Sequence, residues 1–157
     1  MRIGIGYDAH RFQSDRPLIL GGVVIPYHYG LSGHSDADVL THSIIDSFFG
    51  ALNLGDIGTW FPDSDEKYRN ANSLNLLKVT YKKIIELGYV LVNLDSVVIA
   101  QEPKLKEYIP LIHAKLSTVL KTEKDGISVK ATTTEGMGFE GRKEGITAQT
   151  VCLLEKK

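Results

Sequence analysis

Apolar runs of two-residue period and of helical period alternate along this chain in a fixed order, and few folds accept that order. Ile3 and Ile5 alternate with glycines and lead into Tyr7-Asp8-Ala9-His10, a first strand ending in two potential ligands. Leu18–Leu20 and Val23–Ile25 flank Gly21-Gly22, which predicts a hairpin. Ser35 followed three residues later by Asp38 predicts a helix start. That helix runs to about Leu52 with Val39, Leu40, Ile44, Phe48 and Leu52 as its core stripe. The turn-rich segment 55–65 reads as a loop. Asn72 or Ser73 caps a second helix with the stripe Leu74, Leu77, Tyr81, Ile84, ending at Gly88. A strand from Tyr89 to Ala100 follows, with Val90, Val92 and Leu94 on its inner face. Leu105, Ile109, Ile112, Leu116 and Leu120 mark a third helix. Strands at Ile127–Thr133 and Gly145–Leu154 complete the chain. The order predicts an α/β (α+β) fold: one mixed sheet with helices packed on one face, in a single domain spanning 1–157. The last strand is apolar on both faces near Val151–Leu154, so the uncovered sheet face calls for an oligomeric partner.

Bulk properties exclude several function classes. A formal net charge of -1 gives no reason to expect a nucleic-acid partner. No apolar run approaches the ~20 residues of a membrane span. Cys152 is the only cysteine, so a disulfide framework is excluded and a buried strand thiol in a reducing compartment is expected. The chain opens directly on strand pattern, without the features of a signal peptide, and a cytoplasmic location is the expectation.

The candidate chemistry lies at the first strand and the first helix. Asp8 and His10 are two residues apart and leave the same face of a strand. Asp38, His42 and Asp46 recur every four residues and stack along one helix stripe. Asp8, His10 and His42 can therefore reach one cation. Two imidazoles and one carboxylate leave a fourth tetrahedral position free, as in a working zinc site. Asp38 and Asp46 are the candidates to receive the second ring N–H of His42, Asp38 also suiting the start of a helix. His34 and Ser35 sit where helix amide groups favour an anion, and Ser35 alone would also serve as a helix cap.

Thr132-Thr133-Thr134-Glu135 offers hydroxyls and a carboxylate, a set that suits phosphate oxygens and Mg²⁺. Arg142, in the following glycine-rich segment with Phe139, suits an anion. Gly4-x-Gly6 lacks the third glycine and the following helix of a dinucleotide fingerprint. His28 and His113 have no ligand-spaced neighbours and read as structural. Trp60 and Phe61 either form a flap or pin their loop to the core.

These pieces together resemble the 2-C-methyl-D-erythritol 2,4-cyclodiphosphate synthase family. The resemblance rests on Gly6-Tyr-Asp8-Ala-His10, His34-Ser-Asp-Ala-Asp38 with His42, Gly55-Asp-Ile-Gly58 and Phe61-Pro-Asp63-Ser-Asp65. It continues through Ala100-Gln-Glu-Pro-Lys104, Lys130-Ala-Thr-Thr-Thr-Glu135 and Gly138-Phe-Glu-Gly-Arg-Lys-Glu-Gly145. It implies a homotrimer with sites between subunits and sheets facing the three-fold axis. The implied substrate is a cytidine diphosphate, 4-diphosphocytidyl-2-C-methyl-D-erythritol 2-phosphate, cyclised with loss of CMP. The resemblance assigns Zn²⁺ to Asp8, His10 and His42, and Mg²⁺ or Mn²⁺ to Glu135. It gives His34 and Thr133 transition-state roles. Asp56, Ile57, Gly58, Phe61, Asp63 and Asp65 would hold the methylerythritol moiety, and Ser35 would also bind substrate. Ala100, Gln101, Pro103, Lys104, Leu105, Lys106, Thr132 and Thr134 would hold cytidine and diphosphate, with Phe139 and Arg142 completing the contacts. Relatives can also hold an isoprenoid diphosphate along the trimer axis. Gln149 and Tyr7 depart from the Glu and Phe often found there. A zinc phosphoesterase with a water nucleophile and a non-catalytic nucleotide-binding trimer are the rival readings.

Overall fold

The computed structural model describes residues 1–157, the side chain of Lys124 excepted. Strands β1 (Arg2–Gln13), β2 (Leu18–Leu20), β3 (Val23–Ile25) and β4 (Gly30–Leu31) precede helix α1 (Val39–Ala51) and a short helix α2 (Ile57–Trp60). Helix α3 (Ser73–Glu86), β5 (Tyr89–Ile99), α4 (Ile109–Leu120), β6 (Ile127–Thr132), a single-turn α5 (Gly138–Gly141) and β7 (Gly145–Lys156) follow. Among the described residues, five strands form one mixed sheet in the order β4-β1-β7-β5-β6, and β2 pairs with β3 as a separate hairpin. β7 runs antiparallel to both β1 and β5, whereas β5 and β6 are parallel. The expected mixed sheet and the Gly21-Gly22 hairpin are both present, and both glycines hold positive φ.

Helix α1 lies against β1 and β7 more closely than side chains on both elements would allow. A β-carbon at Gly4 would fall 1.9 Å from the Ser47 carbonyl oxygen, and one at Gly6 1.9 Å from that of Ser43. Glycine on the strand therefore seats the helix backbone directly on the sheet. The seam is filled by small hydroxyls: Thr150 Oγ1 lies 2.7 Å from both Ser43 Oγ and Ser96 Oγ. On either side Ile44, Ile45, Phe48 and Phe49 are fully buried with Leu94, Val98, Ile146, Ala148 and Leu154. Cys152 is buried in the same seam, as expected, and its Sγ–H donates to the Ser47 carbonyl.

Several boundaries differ from the sequence expectation for identifiable reasons. β1 continues through Asp8 and His10 to Gln13, because Phe12 and Gln13 pair with β4. Asp38, not Ser35, caps α1: Ala37 has φ +56°, which no right-handed helix admits, so the helix starts beyond it. The 55–65 loop contains α2, capped by Asp56. Leu105 is buried but precedes α4, which begins with Pro110 in its first turn. In β5 a register shift between Leu91 and Asn93 turns Val92 outward (40% exposed) and buries Leu91 in its place, while Leu94 is buried as expected. β6 ends at Thr132 and β7 extends to Lys156.

The sheet face opposite α1 is apolar and open. Ile3, Ile5 and Tyr7 on β1 are 72%, 60% and 57% exposed, and Val151 pairs across from Ile5. Among the described residues no helix is long and apolar enough to cross a membrane.

Candidate metal centre

Asp8 and His10 point from β1 toward α1, on the same face as Gly4 and Gly6, and meet His42 there. Asp8 Oδ2 lies 2.9 Å from His10 Nε2 and 2.9 Å from His42 Nδ1, and the two ring nitrogens are 3.3 Å apart. Metal–ligand bonds of ~2.0–2.1 Å at tetrahedral angles require ligand atoms about 3.3 Å apart, so a small outward shift of Asp8 Oδ2 from the two ring nitrogens separates this cluster from a coordination shell. The donor set suits zinc. His10 Nδ1–H donates to the Ser32 carbonyl at 2.6 Å, which leaves Nε2 as the ligating nitrogen. His42 Nε2 is met by Ser73 Oγ at 2.9 Å and Ser35 Oγ at 3.1 Å, which frees Nδ1. Among the described residues this is the group of carboxylates and imidazoles placed to hold a cation.

The predicted carboxylate neighbours of His42 are used elsewhere. Asp38 is fully buried and accepts from Gly21 N–H (2.9 Å), Gly22 N–H (2.7 Å), Thr41 N–H (3.0 Å) and the Thr41 hydroxyl (2.7 Å). It clamps the β2–β3 turn onto the start of α1, and burial pushes its carboxyl above the ordinary range. Asp46 accepts from Ile57 N–H at 2.7 Å and so ties α1 to the first turn of α2. Burial raises its carboxyl as well. Neither acid hydrogen-bonds to His42; the Ser35 and Ser73 hydroxyls meet its Nε2 instead. Ser73 was readable in the sequence only as a helix cap, and Asp36 carried no signal.

Burial works against charge at Asp8, but hydrogen bonds from His10 and His42 outweigh it and hold the carboxyl well below the usual range. Burial likewise disfavours protonated His10, yet the Asp8 carboxylate more than compensates and raises the imidazole above 6.5. The signs set a window for the metal-free protein. The Asp8 contribution to stability is present above 3.8 and fades as pH falls. The His10 contribution is complete below 6.5 and fades as pH rises through the folded value. In chelator-treated protein the melting temperature of wild type should exceed that of His10→Asn most between those limits. A gap that widened above neutrality would contradict the pair.

The cluster opens on a cavity of about 200 Å³ lined also by His34, Ser35, Ile57, Gly58, Phe61 and Asp63. Asp56 caps α2, whose Ile57 and Gly58 line this cavity, accepting from Thr59 N–H at 2.8 Å, and Asp65 caps the next turn through Lys67 N–H at 3.0 Å. Trp60 and Phe61 pin this segment to the core: Trp60 stacks on Phe49 with centroids 5.1 Å apart, and Phe61 is buried. A second cavity of about 170 Å³ lies at the ends of β5 and β6, lined by Ala100, Pro103, Lys104, Leu105, Lys106, Ala131, Thr132 and Thr133. Beside it the Thr133 hydroxyl donates to Glu135 at 3.0 Å, the Thr134 hydroxyl to the Met137 carbonyl, and Gln101 accepts from Gly136 N–H at 3.2 Å. The two cavities share no lining residue. Phe139 lines a third, broader groove beyond His10, and Arg142 pairs with Glu144 at 2.8 Å on the surface.

A cluster of one carboxylate and two imidazoles, set where a mixed sheet meets its covering helix, makes this an α/β protein with a candidate metal centre. A profile described as the YgbB family matches residues 1–155, and the chain belongs to that family. It is 55% identical over 154 residues to a Clostridioides difficile (strain 630) protein named 2-C-methyl-D-erythritol 2,4-cyclodiphosphate synthase, covering 98% of this chain and 96% of that one. A Desulfitobacterium hafniense (strain DSM 10664 / DCB-2) protein of the same name is 53% identical over 156 residues, with 99% of each covered. Among solved structures, a synthase of that name in a CDP-bound form superimposes with TM-score 0.90 at 33% identity, covering 98% of this chain and 100% of that one. The bifunctional IspDF of Campylobacter jejuni gives TM-score 0.96 at 46% identity, with 99% of this chain matching 42% of the longer one.

Proposed function

We propose that this chain converts 4-diphosphocytidyl-2-C-methyl-D-erythritol 2-phosphate to 2-C-methyl-D-erythritol 2,4-cyclodiphosphate and CMP, as a phosphorus–oxygen lyase of the non-mevalonate isoprenoid pathway. The observation that carries this reading is the Asp8–His10–His42 cluster opening on a recess with His34 and Ser35, in a chain 55% identical to a relative named for that product.

In the reaction an oxygen of the 2-phosphate bonds to the β-phosphorus, the bond from that phosphorus to the CMP oxygen breaks, and CMP leaves. The nucleophile is tethered to its target. Holding the substrate folded can therefore contribute much of the ~7–11 kcal/mol that orientation supplies. Asp56–Gly58, with Phe61, Asp63 and Asp65, would grip the methylerythritol part from the α2 side. Residues 100–106 would seat the cytidine, and Thr132–Thr134 the diphosphate. His34 and Thr133 would face the charge that spreads over the equatorial oxygens during transfer. Zinc on Asp8, His10 and His42, and Mg²⁺ on Glu135, would supply a template and Lewis acid for phosphate oxygens. No covalent bond to the protein is needed.

We infer that the working unit is a homotrimer with each site shared between subunits. Two separate part-sites on one chain and the open apolar face of β1 support that assembly. The unpaired Cys152 fits the reducing cytoplasm. Phosphorus NMR of the product formed from the cytidine substrate is the decisive measurement. Equal amounts of CMP and cyclic diphosphate are expected. A linear methylerythritol bisphosphate would overturn cyclisation in favour of phosphoester hydrolysis.

A further inference from the structure

His42 has two possible ligating nitrogens, and a neutral imidazole offers a lone pair at one only while the other carries hydrogen. Nδ1 faces Asp8 and His10, so a cation there requires the hydrogen on Nε2. The groups facing Nε2 are two serine hydroxyls, each able to donate or accept, and by themselves they do not decide the matter.

The decision is made one bond further out. The Ser73 hydroxyl lies within a short hydrogen bond of Asp36 Oδ1, and a carboxylate only accepts, so the serine hydrogen points to Asp36. Ser73 Oγ then has lone pairs alone to offer His42, 2.9 Å away, and it accepts from Nε2–H. Asp36 is itself held in place. Its Oδ2 accepts from Ser73 N–H at 2.9 Å, its Oδ1 from Asp38 N–H at 3.3 Å, and its own N–H donates to the Ala71 carbonyl at 3.1 Å. Asn70 N–H adds a bond to the His34 carbonyl at 2.9 Å, so residues 70–73 and 34–36 form one braced unit behind the ring. Ser73 is fully buried, which shields the relay from competing water.

We propose that Asp36, acting through Ser73, is a positioning residue that sets the His42 tautomer and thereby the affinity of the site for a divalent cation. The inference rests on the metal-site reading above and names residues outside the ligand set. It requires the two residues to act in series.

The test is zinc affinity, measured by competition with a chromogenic chelator, in wild type, Ser73→Ala, Asp36→Asn and the double variant. Circular dichroism checks each fold. Loss of a partner behind a ligating histidine typically costs ~10–100-fold in affinity, and Ser73→Ala is expected to fall in that range. Asp36→Asn should weaken binding in the wild type but add nothing in the Ser73→Ala background. Ser73→Thr, which keeps the hydroxyl, should restore most of the affinity. Multiplicative losses in the double variant, or zinc bound equally by wild type and Ser73→Ala, would overturn the relay. A wild type that takes up no zinc would instead overturn the metal reading beneath it.

Discussion

His42→Ala is expected to abolish turnover of the cytidine substrate and to lower zinc affinity by more than the ~100-fold that a supporting residue can cost. The ring provides one of three ligand atoms that converge within 4.8 Å, and Asp8 with His10 alone make a poor site. The fold should survive the change. Ser73 keeps its bond to Asp36, and Ser35 keeps the one it accepts from Ala37 N–H at 3.2 Å, so the truncation leaves both hydroxyls partnered. Metal content after dialysis against zinc, together with CMP release, reads both expectations on one sample. Normal turnover by a well-folded His42→Ala protein would remove His42 from the metal centre.

The ligand set was legible because its spacing is a property of backbone geometry. Residues two apart on a strand must share a face, and a helix beginning at Val39 can offer His42, in its first turn, to that face. The groups that support the ligands were not legible in the same way. Asp38 and Asp46 have helical spacing to His42, which makes them attractive on paper, but Asp38 is consumed by four donors, two at the hairpin turn and two from Thr41, and Asp46 by the amide of Ile57. Of the two hydroxyls that do meet the ring, Ser35 lies seven positions before it, but Ser73 comes from the start of α3, 31 positions away, and no local pattern announces such a contact. Similarly, the exposed Val92 follows from a bulge in β5, where pairing with β7 slips by one residue and alternation changes phase. Long-range hydrogen bonds and single-residue slips leave little trace in composition or period.

The glycines of β1 show the reverse case, a feature visible in the sequence whose meaning only packing reveals. Gly6→Ala is expected to destabilise the fold by ~3 kcal/mol or more, the upper end of what overpacking costs. The added methyl would sit 1.9 Å from the Ser43 carbonyl oxygen and 2.7 Å from Ser47 N, both helix backbone, which cannot rotate aside. Either α1 lifts or β1 shifts, and β1 is held by continuous pairing with β7 from Arg2 to Arg11. Lifting α1 also withdraws His42 from Asp8 and His10, which lie two and four residues beyond Gly6 on the same strand face. Metal bonds tolerate displacements of only about 0.2 Å, so zinc affinity should fall even in protein that remains folded. Gly50→Ala is the matched control: its β-carbon would meet the Ile5 carbonyl at 3.5 Å, an ordinary contact, inside a helix. There alanine should stabilise by ~0.5–1 kcal/mol. Urea unfolding midpoints and chelator competition on the two variants separate the outcomes. If Gly6→Ala unfolded at the same denaturant concentration as Gly50→Ala and bound zinc equally well, close approach of α1 to β1 would not be what assembles the metal site.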